Sequence, residues 1–487
     1  MTQHWYLDIA ALRIQEWLAR TPDLRLRRGA SILLSEQTGK SSWIGRLPEG
    51  VSWNDEAGDI DGIVSLVMPS SATEADLAGV GGRVAGALRR AMPALPVHAV
   101  AAHAESYLEA HQEIEGRLRD GEVLVNLPAP AAEVVAAKAC DWCRSAAASL
   151  RRREGELLVE VCTDCAGRDD AAGHPGARDE GRRPRVESRL LAAWTELHGP
   201  ASLPKTFEAL AKLGETSPDD SATHLALVFA DGNRLGAVLH ALAENGAANK
   251  AVVAQAIDDA LDAALAAALE VVLPALRPGT TLPVIPHVLG GDDVLVSVPA
   301  SVAWPFVRTL LATFGTIAMR SLSTANGGPL NPDVSMSAGI VFHHNTHPFA
   351  DVVTAAGRSL REAKRHFRGE EASIAFLDLT ADGMRAPRNR APLSLRDLDA
   401  LEAAVSQVRD IPAAARSSIL SLVRQGSRED LSRHLAAAQA DIWRAAAGAE
   451  LDEKIPLDEP HLQQLRTVID LARWWPCWPK PRAGGAA

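Results

Sequence analysis

The chain has 487 residues, of which 47% are hydrophobic and 23% charged, and its formal net charge is −11. This size and apolar content suffice for two to four domains with hydrophobic cores. The negative charge excludes a protein coated in basic residues for bulk nucleic-acid binding. Arginine runs such as "LRLRRGAS" and "EGRRPRVESR" could still form local basic patches, although solvated surface charge is the ordinary interpretation.

The chain shows no sign of membrane insertion or secretion. It does not open with a basic segment followed by an apolar core, as a signal peptide does. The stretch that comes closest to a membrane helix, residues 251–276, is interrupted by three aspartates and a glutamate. We therefore expect a soluble, cytoplasmic protein with no membrane partner.

Residues 1–135 alternate strand-like and helix-like patterns. "HWYLDIAAL", "IDGIVSLVMP" and "LPVHAVAAHA" predict strands. "RIQEWLAR" and "EADLAGVGGRVAGALRRAM" have apolar residues at three- and four-residue steps, which predicts helices. The pattern favours an α+β domain of the ferredoxin-like, or palm-like, kind.

Two CxxC pairs follow in residues 136–170. "CDWC" and "CTDC" are separated by eighteen residues, the spacing of a zinc ribbon in which two knuckles present four thiolates to one Zn²⁺. Four sulfur ligands leave no open coordination position, so the predicted site is structural. A pair of reducible dithiols is the alternative. The predicted zinc ligands are Cys140, Cys143, Cys162 and Cys165, and the fifth cysteine, Cys477, is expected to serve packing.

A polar stretch, "AGRDDAAGHPGARDEGRRPR", is typical of a flexible loop, and we assign 171–220 to a linker and a helical segment. In residues 221–385 the alternation returns as strand, helix, hairpin, helix, strand and helix, followed by the further strand "ASIAFLDL". The βαββαβ order indicates a second palm or ferredoxin-like domain. Residues 386–487 predict a helical domain with a loose Pro/Gly tail.

The hairpin of the second palm carries the sequence "LGGDD". Gly290 and Gly291 permit positive φ and leave room for a bulky ligand near the backbone. Asp292 and Asp293 would repel each other unless a cation neutralises them. An ordinary hairpin with solvated acids is the alternative interpretation.

A third acid stands at the end of the neighbouring strand. "HLALVFADGNRLG" runs apolar up to Asp231, which would face the hairpin acids across the sheet. Three converging carboxylates suit two Mg²⁺ ions and hence two-metal nucleotidyl transfer. Lys364, in the helix "SLREAKRHF", could reach a triphosphate, although an exposed helix lysine is the commoner case.

These motifs together resemble the Cas10 family, the large subunits of type III CRISPR effector complexes, and within it the Cmr2 branch. "FADGNRLG" is similar to the first palm-strand motif, "LGGDD" to the signature, and "AAGRSLREAK" to the helix after it. "CDWC…CTDC" stands where the family carries its zinc site, and "YLDIAALRIQEWLA…LRRGASILLSE" is similar to the start of the first palm-like domain.

The resemblance implies a cyclase that joins ATP into cyclic oligoadenylate when target RNA binds the complex. Mg²⁺ or Mn²⁺ would be held by Asp231, Asp292 and Asp293, and Lys364 would hold phosphate. It implies as partners a Cas7-like backbone on CRISPR RNA, a Cas5-like subunit, small helical Cas11-like subunits and target RNA. The implied nucleotide-binding residues are Gly232, Gly290, Gly291, Lys364 and Ser31, the last of which contacts an adenine or else caps a helix.

The chain departs from the family at two points. Asn233 stands where many relatives carry a second acid, and an amide can ligate or orient a metal but adds no charge. The sequence contains no His-Asp dipeptide and starts directly in the first palm-like domain, so we expect no HD-type nuclease activity.

Three other functions stay open from the sequence. A catalytically silent scaffold is disfavoured by the intact acids. A GGDEF-type diguanylate cyclase is disfavoured because Val294 replaces an aromatic residue. A different conjugate of ATP could be made at the same site. The histidines of "FHHNTHP" are expected to lie beyond a strand end without binding metal, and "WW" at 474 and 475 to serve packing or a protein–protein surface.

Overall fold

The fold is described here from a computed structural model of the chain. Its described residues are 3–58, 60–129, 138–173, 183–215, 222–244, 250–276, 279–325, 328–329, 333–387, 390–425, 431, 440–448 and 458–475.

The first sheet belongs to a ferredoxin-like unit, as predicted. Its strands lie in the order β2-β3-β1-β4-β5, with antiparallel neighbours throughout. Alternate residues of the central strand, such as Leu7 and Ile9, are fully buried and share a core cluster with Val84 and Leu88 of α3. The elements of this unit are β1 (His4–Ala11), α1 (Ile14–Leu18), α2 (Leu24–Thr38), β2 (Ser52–Trp53), β3 (Ile63–Pro69), α3 (Glu74–Ala91), β4 (Val97–Ala104), α4 (Tyr107–Asp120) and β5 (Val125–Leu127).

The cysteine-bearing unit consists of a hairpin and a helix. Strands β6 (Leu150–Glu154) and β7 (Leu157–Val161) pair antiparallel, and α5 (Thr163–Ala172) follows directly. Helix α5 packs closely on α2, since a Cβ at Gly29 would lie 2.0 Å from the backbone oxygen of Arg168. The ribbon is therefore fixed to the first palm.

The structure corrects the prediction of a flexible loop over residues 166–185. Residues up to Ala172 are helical, and Arg168 is fully buried. Its Nε donates to Asp164 Oδ2 at 3.0 Å, so the buried guanidinium has a carboxylate partner one helical turn away. Residues 174–182 of this stretch lie outside the described residues.

Helices α6 (Arg185–His198) and α7 (Phe207–Leu213) lead to the second sheet, whose strand order is β13-β12-β11-β8-β10-β9. Strand β8 lies between β11 and β10 and pairs antiparallel with both, which gives the predicted palm topology; β12 extends the sheet parallel to β11. The elements are β8 (His224–Asn233), α8 (Leu235–Glu244), α9 (Lys250–Val272), β9 (Ile285–Gly290), β10 (Asp293–Pro299), α10 (Ala303–Ala325), β11 (Ser335–His344), α11 (Phe349–His366), β12 (Ser373–Asp378), α12 (Leu379–Asp382) and β13 (Leu393–Ser394).

One helical stretch among the described residues, Ala300–Thr324, is long and apolar enough to cross a membrane by length and composition. The sequence pointed instead to residues 251–276 as the closest candidate. Trp304, Phe306 and Phe314 of this stretch are buried, and α10 packs on α9 and β11. Its apolar character is explained by its place in the core of the second palm.

The C-terminal region is helical, as predicted. Its described helices are α13 (Leu395–Arg409), α14 (Ala413–Gln425), α15 (Ala440–Ala447) and α16 (Glu459–Ala472). Trp474 stacks on Phe342 of the second palm with ring centroids 5.4 Å apart, and Trp475 stacks on Trp304. The packing role predicted for these tryptophans is confirmed, and Cys477 lies outside the described residues.

Taken together, the chain has the predicted α+β fold, with two ferredoxin-like sheets, a cysteine-bearing ribbon between them in sequence and a helical C-terminal region. The domain limits given above stay predictions.

Candidate active site and cysteine cluster

Strand pairing places the three predicted acids at one edge of the second sheet. Ala230 of β8 pairs with Val294 of β10, so Asp231 follows the last paired residue beside the hairpin. The hairpin loop between β9 and β10 is only two residues long. Its first residue, Gly291, has φ of 59°, a left-handed conformation that favours glycine. The tight turn thus holds Asp292 and Asp293 next to the end of β8.

Asp292 is packed against Gly232. A Cβ added to Gly232 would lie 2.7 Å from Asp292 Oδ2 and 2.9 Å from Asp292 Cβ, so only glycine permits this approach. Burial raises the pKa of Asp292, while backbone N–H groups of Asp292 and Gly232 donate to the carboxylate and oppose that rise. The negative charge of Glu115, on α4 of the first palm, raises the pKa further.

Asp293 is partly buried at the start of β10. Burial, followed by the negative charge of Asp292, raises the pKa of Asp293 to about 7. Gln15 of α1 donates from Nε2 to Asp293 Oδ2 at 3.3 Å. The adjacent acids therefore form a site in which a cation would offset both burial and mutual repulsion.

Lys364 is directed at Asp231, and its side chain is 27% exposed. Its Nζ contacts Asp231 Oδ2 and donates to the backbone oxygen of Gly232 at 2.7 Å. Burial lowers the pKa of Lys364 to about 8, while the neighbouring carboxylate favours the charged ammonium. In this arrangement Lys364 neutralises Asp231 in the position where a metal cation would do so.

The donor set fits a hard divalent cation. Carboxylate oxygens are the ligands that Mg²⁺ prefers, and Asp292 packs against Gly232, the residue that follows Asp231 in β8. The three carboxylates do not form a tight group by themselves. Among the described residues, the only set of three or more potential ligands whose atoms all lie within 4.8 Å of one another is the cysteine set.

Asn233 takes no part in the acidic site. Its Nδ2 donates to Ser335 Oγ at 2.8 Å and to the backbone oxygen of Glu371 at 3.1 Å. Its Oδ1 accepts from Ser337 Oγ at 3.1 Å. The amide is 1% exposed and tied into a network between β8, β11 and the start of β12, so the suggestion that it ligates or orients a metal has no support in this geometry.

Ser31 lies in the middle of α2, so the alternative that it caps a helix is wrong. It is buried and lines a small cavity between the palms, together with Gln15 and Arg28 of the first palm and His287 of the second. The adenine contact stays a prediction. Gly290 is in open space, with no atom within 4 Å of an added Cβ.

Two residues near the acids were missed in the sequence, Gln15 and Glu115. Gln15 and Asp293 are 278 positions apart, and no spacing rule links them. Glu115 Oε2 lies 3.9 Å from a Cβ built on Gly236, in the first turn of α8. Glu115 lies in the polar helical segment "LEAHQEIEGRL". In its sequence pattern, nothing distinguishes Glu115 from the neighbouring acidic residues.

Two of the three histidines of "FHHNTHP" are placed differently from the prediction, whereas His347 lies beyond the strand end as predicted. His343 and His344 are the last residues of β11 and do not lie beyond it. His343 is 1% exposed, and burial lowers its pKa to about 4, which keeps the imidazole neutral. It is a core residue of the second palm.

The four cysteines of the two CxxC pairs form one buried group, and Cys143 Sγ lies 3.9 Å from Cys162 Sγ. Cys162 caps α5, since its Sγ accepts from the Cys165 N–H at 3.4 Å. Hydrogen bonds from Cys140, Cys162 and Cys165 lower the pKa of the Cys143 thiol well below its usual range. Four thiols in this arrangement can bind one metal ion, and the donor set fits zinc.

Comparison with known protein families supports the assignment of the second sheet to a palm domain. Residues 224–372 match the sequence model of the Cas10/Cmr2 second palm domain. This range contains Asp231, the hairpin acids and Lys364. The search of curated proteins found no match.

Solved structures share the fold over nearly the whole chain. A Csm1-Csm4 cassette in complex with pppApA superposes with a TM-score of 0.54 at 13% identity, covering 96% of this chain and 69% of that one. The same cassette in complex with cA3 gives a TM-score of 0.53 at 12% identity, covering 96% and 70%. The apo state of a type III-B Cmr-beta complex gives 0.51 at 10% identity, covering 97% and 81%.

The matched sequence range and the shared fold lead to one assignment: residues 224–372 are a second palm domain of the Cas10/Cmr2 kind, within a chain that shares its overall fold with proteins of type III CRISPR complexes.

Proposed function

We propose that this chain is the large subunit of a type III CRISPR effector complex and that it joins ATP into cyclic oligoadenylate when target RNA is bound. One observation carries the proposal. Near the end of β8, Gly232 lies between Asp292 of the hairpin turn and Lys364, which also contacts Asp231, and Asp293 follows in the hairpin; all lie inside the range that matches the family model.

In the proposed reaction, the 3′-oxygen of one ATP attacks the α-phosphorus of another. The bond between the 3′-oxygen and the α-phosphorus forms, the bond between the α-phosphorus and the oxygen bridging to the β-phosphate breaks, pyrophosphate leaves, and the hydroxyl proton passes to solvent. Two Mg²⁺ or Mn²⁺ ions on Asp231, Asp292 and Asp293 would activate the hydroxyl and stabilise the leaving group. Asp231 would hold a cation in place of the Lys364 ammonium, and Lys364 would then be available to hold the triphosphate.

The glycines serve this chemistry by their size. Gly232 lets Asp292 approach β8, and Gly290 and Gly291 leave the hairpin open for a nucleotide. Ser31 is proposed to contact an adenine from the first palm. Zn²⁺ on Cys140, Cys143, Cys162 and Cys165 would hold the ribbon structurally.

We propose the partners and location that the family implies. These are a Cas7-like backbone with its CRISPR RNA, a Cas5-like subunit, Cas11-like small subunits and target RNA, assembled in the cytoplasm. The support is that similar solved structures are Csm1 bound to Csm4 and a Cmr-beta complex. The assignment to the Cmr2 branch and the lack of HD-type nuclease activity stay predictions.

The test is incubation of the assembled complex with Mg²⁺ or Mn²⁺, labelled ATP and matched target RNA, with products resolved by mass. Wild type is compared with Asp292→Ala/Asp293→Ala. We expect oligoadenylate only with target RNA, and none from the variant. No ATP consumption with RNA binding intact would contradict the proposal in favour of a silent scaffold. A product that is not an oligoadenylate would keep the site and change the reaction. A parallel incubation with labelled GTP tests the diguanylate-cyclase alternative, which conversion of GTP alone would support.

A further inference from the structure

The short helix α1 touches both candidate sites. At one end Gln15 donates to Asp293 Oδ2 at 3.3 Å. On the same helix, Trp17 Nε1 donates to Asp164 Oδ1 at 2.9 Å. Just beyond the helix, Arg20 Nη2 lies 3.7 Å from Cys143 Sγ. Six consecutive positions therefore join the acidic site to the cysteine cluster.

The cysteine end of this connection is held by several bonds at once. Asp164 lies between Cys162 and Cys165 and is 3% exposed. Besides the indole N–H, it accepts from Arg168 Nε at 3.0 Å. Arg168 Nη2 donates to the backbone oxygen of Trp17 at 2.7 Å, and its guanidinium carbon lies 4.4 Å from the centre of the Trp17 ring. Trp17 is consequently fixed relative to the ribbon through its ring, its N–H and its carbonyl.

At the acidic site, helix α1 contributes one donor, the side-chain amide of Gln15, to the partly buried carboxylate of Asp293. Asp293 belongs to the second palm and Gln15 to the first, so the bond crosses between the palms. A donor on one carboxylate oxygen restricts the rotation of the side chain and leaves the other oxygen directed elsewhere. The orientation of Asp293 thereby depends on the place of α1.

We propose that Gln15 is a positioning residue for Asp293 and that Trp17 ties Gln15 to the metal-binding ribbon. Loss of order at the cysteine cluster then loosens Asp293 without any change in the second palm itself. This inference rests on the proposed function in taking Asp293 as a ligand of Mg²⁺ or Mn²⁺.

Mn²⁺ binding by the full chain, without ATP, tests the proposal. The zinc-loaded chain is titrated with Mn²⁺, and free Mn²⁺ is measured by electron paramagnetic resonance. Asp292→Ala/Asp293→Ala identifies the binding that belongs to the acidic site. Gln15→Met keeps the length of the side chain and removes the donor. We expect it to weaken that binding about five- to tenfold, because an Asp293 carboxylate that rotates freely must be ordered when the ion binds.

The matched control is Glu16→Gln on the same helix. The Glu16 side chain is 67% exposed and lies 3.7 Å from Arg13, so Mn²⁺ binding is expected to stay at the wild-type value. Unchanged binding in Gln15→Met, or equal weakening in both variants, would overturn the role of Gln15.

The link to the ribbon is tested with Trp17→Phe, which keeps an aromatic ring and loses the N–H bonded to Asp164. We expect about two- to threefold weaker Mn²⁺ binding in the wild-type background and no further loss in Gln15→Met, because the effect passes through Gln15. Removal of zinc is likewise expected to weaken Mn²⁺ binding about two- to threefold in the wild-type background and to cause no further loss in Gln15→Met. Equal losses in both backgrounds would show that the ribbon does not act through Gln15.

These measurements do not need turnover. If wild type binds Mn²⁺ at the acids but makes no oligoadenylate, the proposed reaction fails and the comparison of Gln15 variants still decides the inference. If wild type shows no Mn²⁺ binding that Asp292→Ala/Asp293→Ala removes, the inference fails with the metal site.

Discussion

The four ferredoxin-like strands have the same order in both palms, but the acids on the two central strands have different surroundings. In the first palm, Asp8 lies within the central strand β1, pairs with Ser65 in the register and is 5% exposed. Its carboxylate accepts from Ser65 Oγ at 2.5 Å and from the Tyr107 hydroxyl at 2.7 Å. In the second palm, Asp231 stands near the end of β8, beside the hairpin and under Lys364. The first acid is held by two internal hydrogen bonds, whereas the second is paired with Lys364 and its side chain is 30% exposed.

The hairpins differ in the same sense. The connection between β2 and β3 covers residues 54–62 and includes a short 3₁₀ turn. The connection between β9 and β10 is Gly291 and Asp292 alone. The shared fold therefore does not make a site. A site arises where a strand ends in an acid and a two-residue turn brings two more alongside.

The largest expected effect comes from exchanging the strand acids one at a time. Asp231→Asn removes a charge from the proposed metal site, and we expect ATP conversion to fall by about 10²- to 10³-fold or more, with the fold retained. Asp8→Asn leaves one of two buried donors without its acceptor and should cost about 1–3 kcal/mol of stability, with ATP conversion kept. Product formation and chemical denaturation of both variants check this. An Asp231→Asn variant as active as wild type would remove the distinction between the palms.

A smaller effect is expected from two glycine substitutions. In Gly232→Ala the new Cβ would meet Asp292 Oδ2 and Leu235 Cδ1, the latter at 2.5 Å, so Asp292 must move and ATP conversion should fall by about tenfold or more. Gly82→Ala in α3 of the first palm meets nothing within 4 Å. It should stabilise the chain by up to about 1 kcal/mol and leave conversion unchanged. Activity assays and denaturant titrations on both variants measure the contrast, and a fully active Gly232→Ala would contradict the packing described here.

The smallest effect concerns pH. Folding raises the pKa of Asp293 from its usual value of 3.8 to about 7. Between these two pH values, the carboxyl is protonated in the folded state and ionised in the unfolded state. Stability from the neutral carboxyl is complete below the unfolded pKa and is lost as the pH rises through the folded one. Asp293→Asn does not titrate. Without divalent metal, its unfolding midpoint should rise relative to wild type as the pH increases from about 4 to 8.

The control for the pH series is Asp55→Asn in the long hairpin of the first palm, where the side chain is 76% exposed. This variant removes an exposed carboxylate, so a change seen only with Asp293→Asn is assigned to the partly buried hairpin acid. A constant gap for Asp293→Asn would mean that the hairpin acid is solvated, as its counterpart is.

The second palm could be predicted almost entirely from the sequence because its strands are continuous apolar runs and its hairpin is marked by two glycines. Strands β8 to β12 were predicted, as were the acids that the pairing of β8 with the hairpin brings together. The cysteine group was predicted by spacing alone, since two knuckles at this distance have a fixed geometry.

The failures share a cause, which is burial of polar side chains by distant partners. Arg27, in a run that looked like solvated charge, is 4% exposed, and its guanidinium carbon lies 3.7 Å from the centre of the Phe349 ring of the other palm. Arg168 contributed to the prediction of a flexible loop because it is charged. In the structure it is helical and buried, and it donates to the backbone oxygen of Trp17. Such side chains are charged but lie in the core, and only the tertiary structure distinguishes them from charged side chains on the surface.

The central place of β8 has a consequence for the order in which the chain is synthesised. β8 emerges from the ribosome before either of its neighbours, and Lys364 follows Asp231 by 133 residues. Until β10 and β11 are made, an apolar strand has two unpaired edges, a state in which nascent chains aggregate. A truncated product ending before β11 is therefore expected to need chaperone protection, and it would contain Asp231 without the sheet and the lysine that position it.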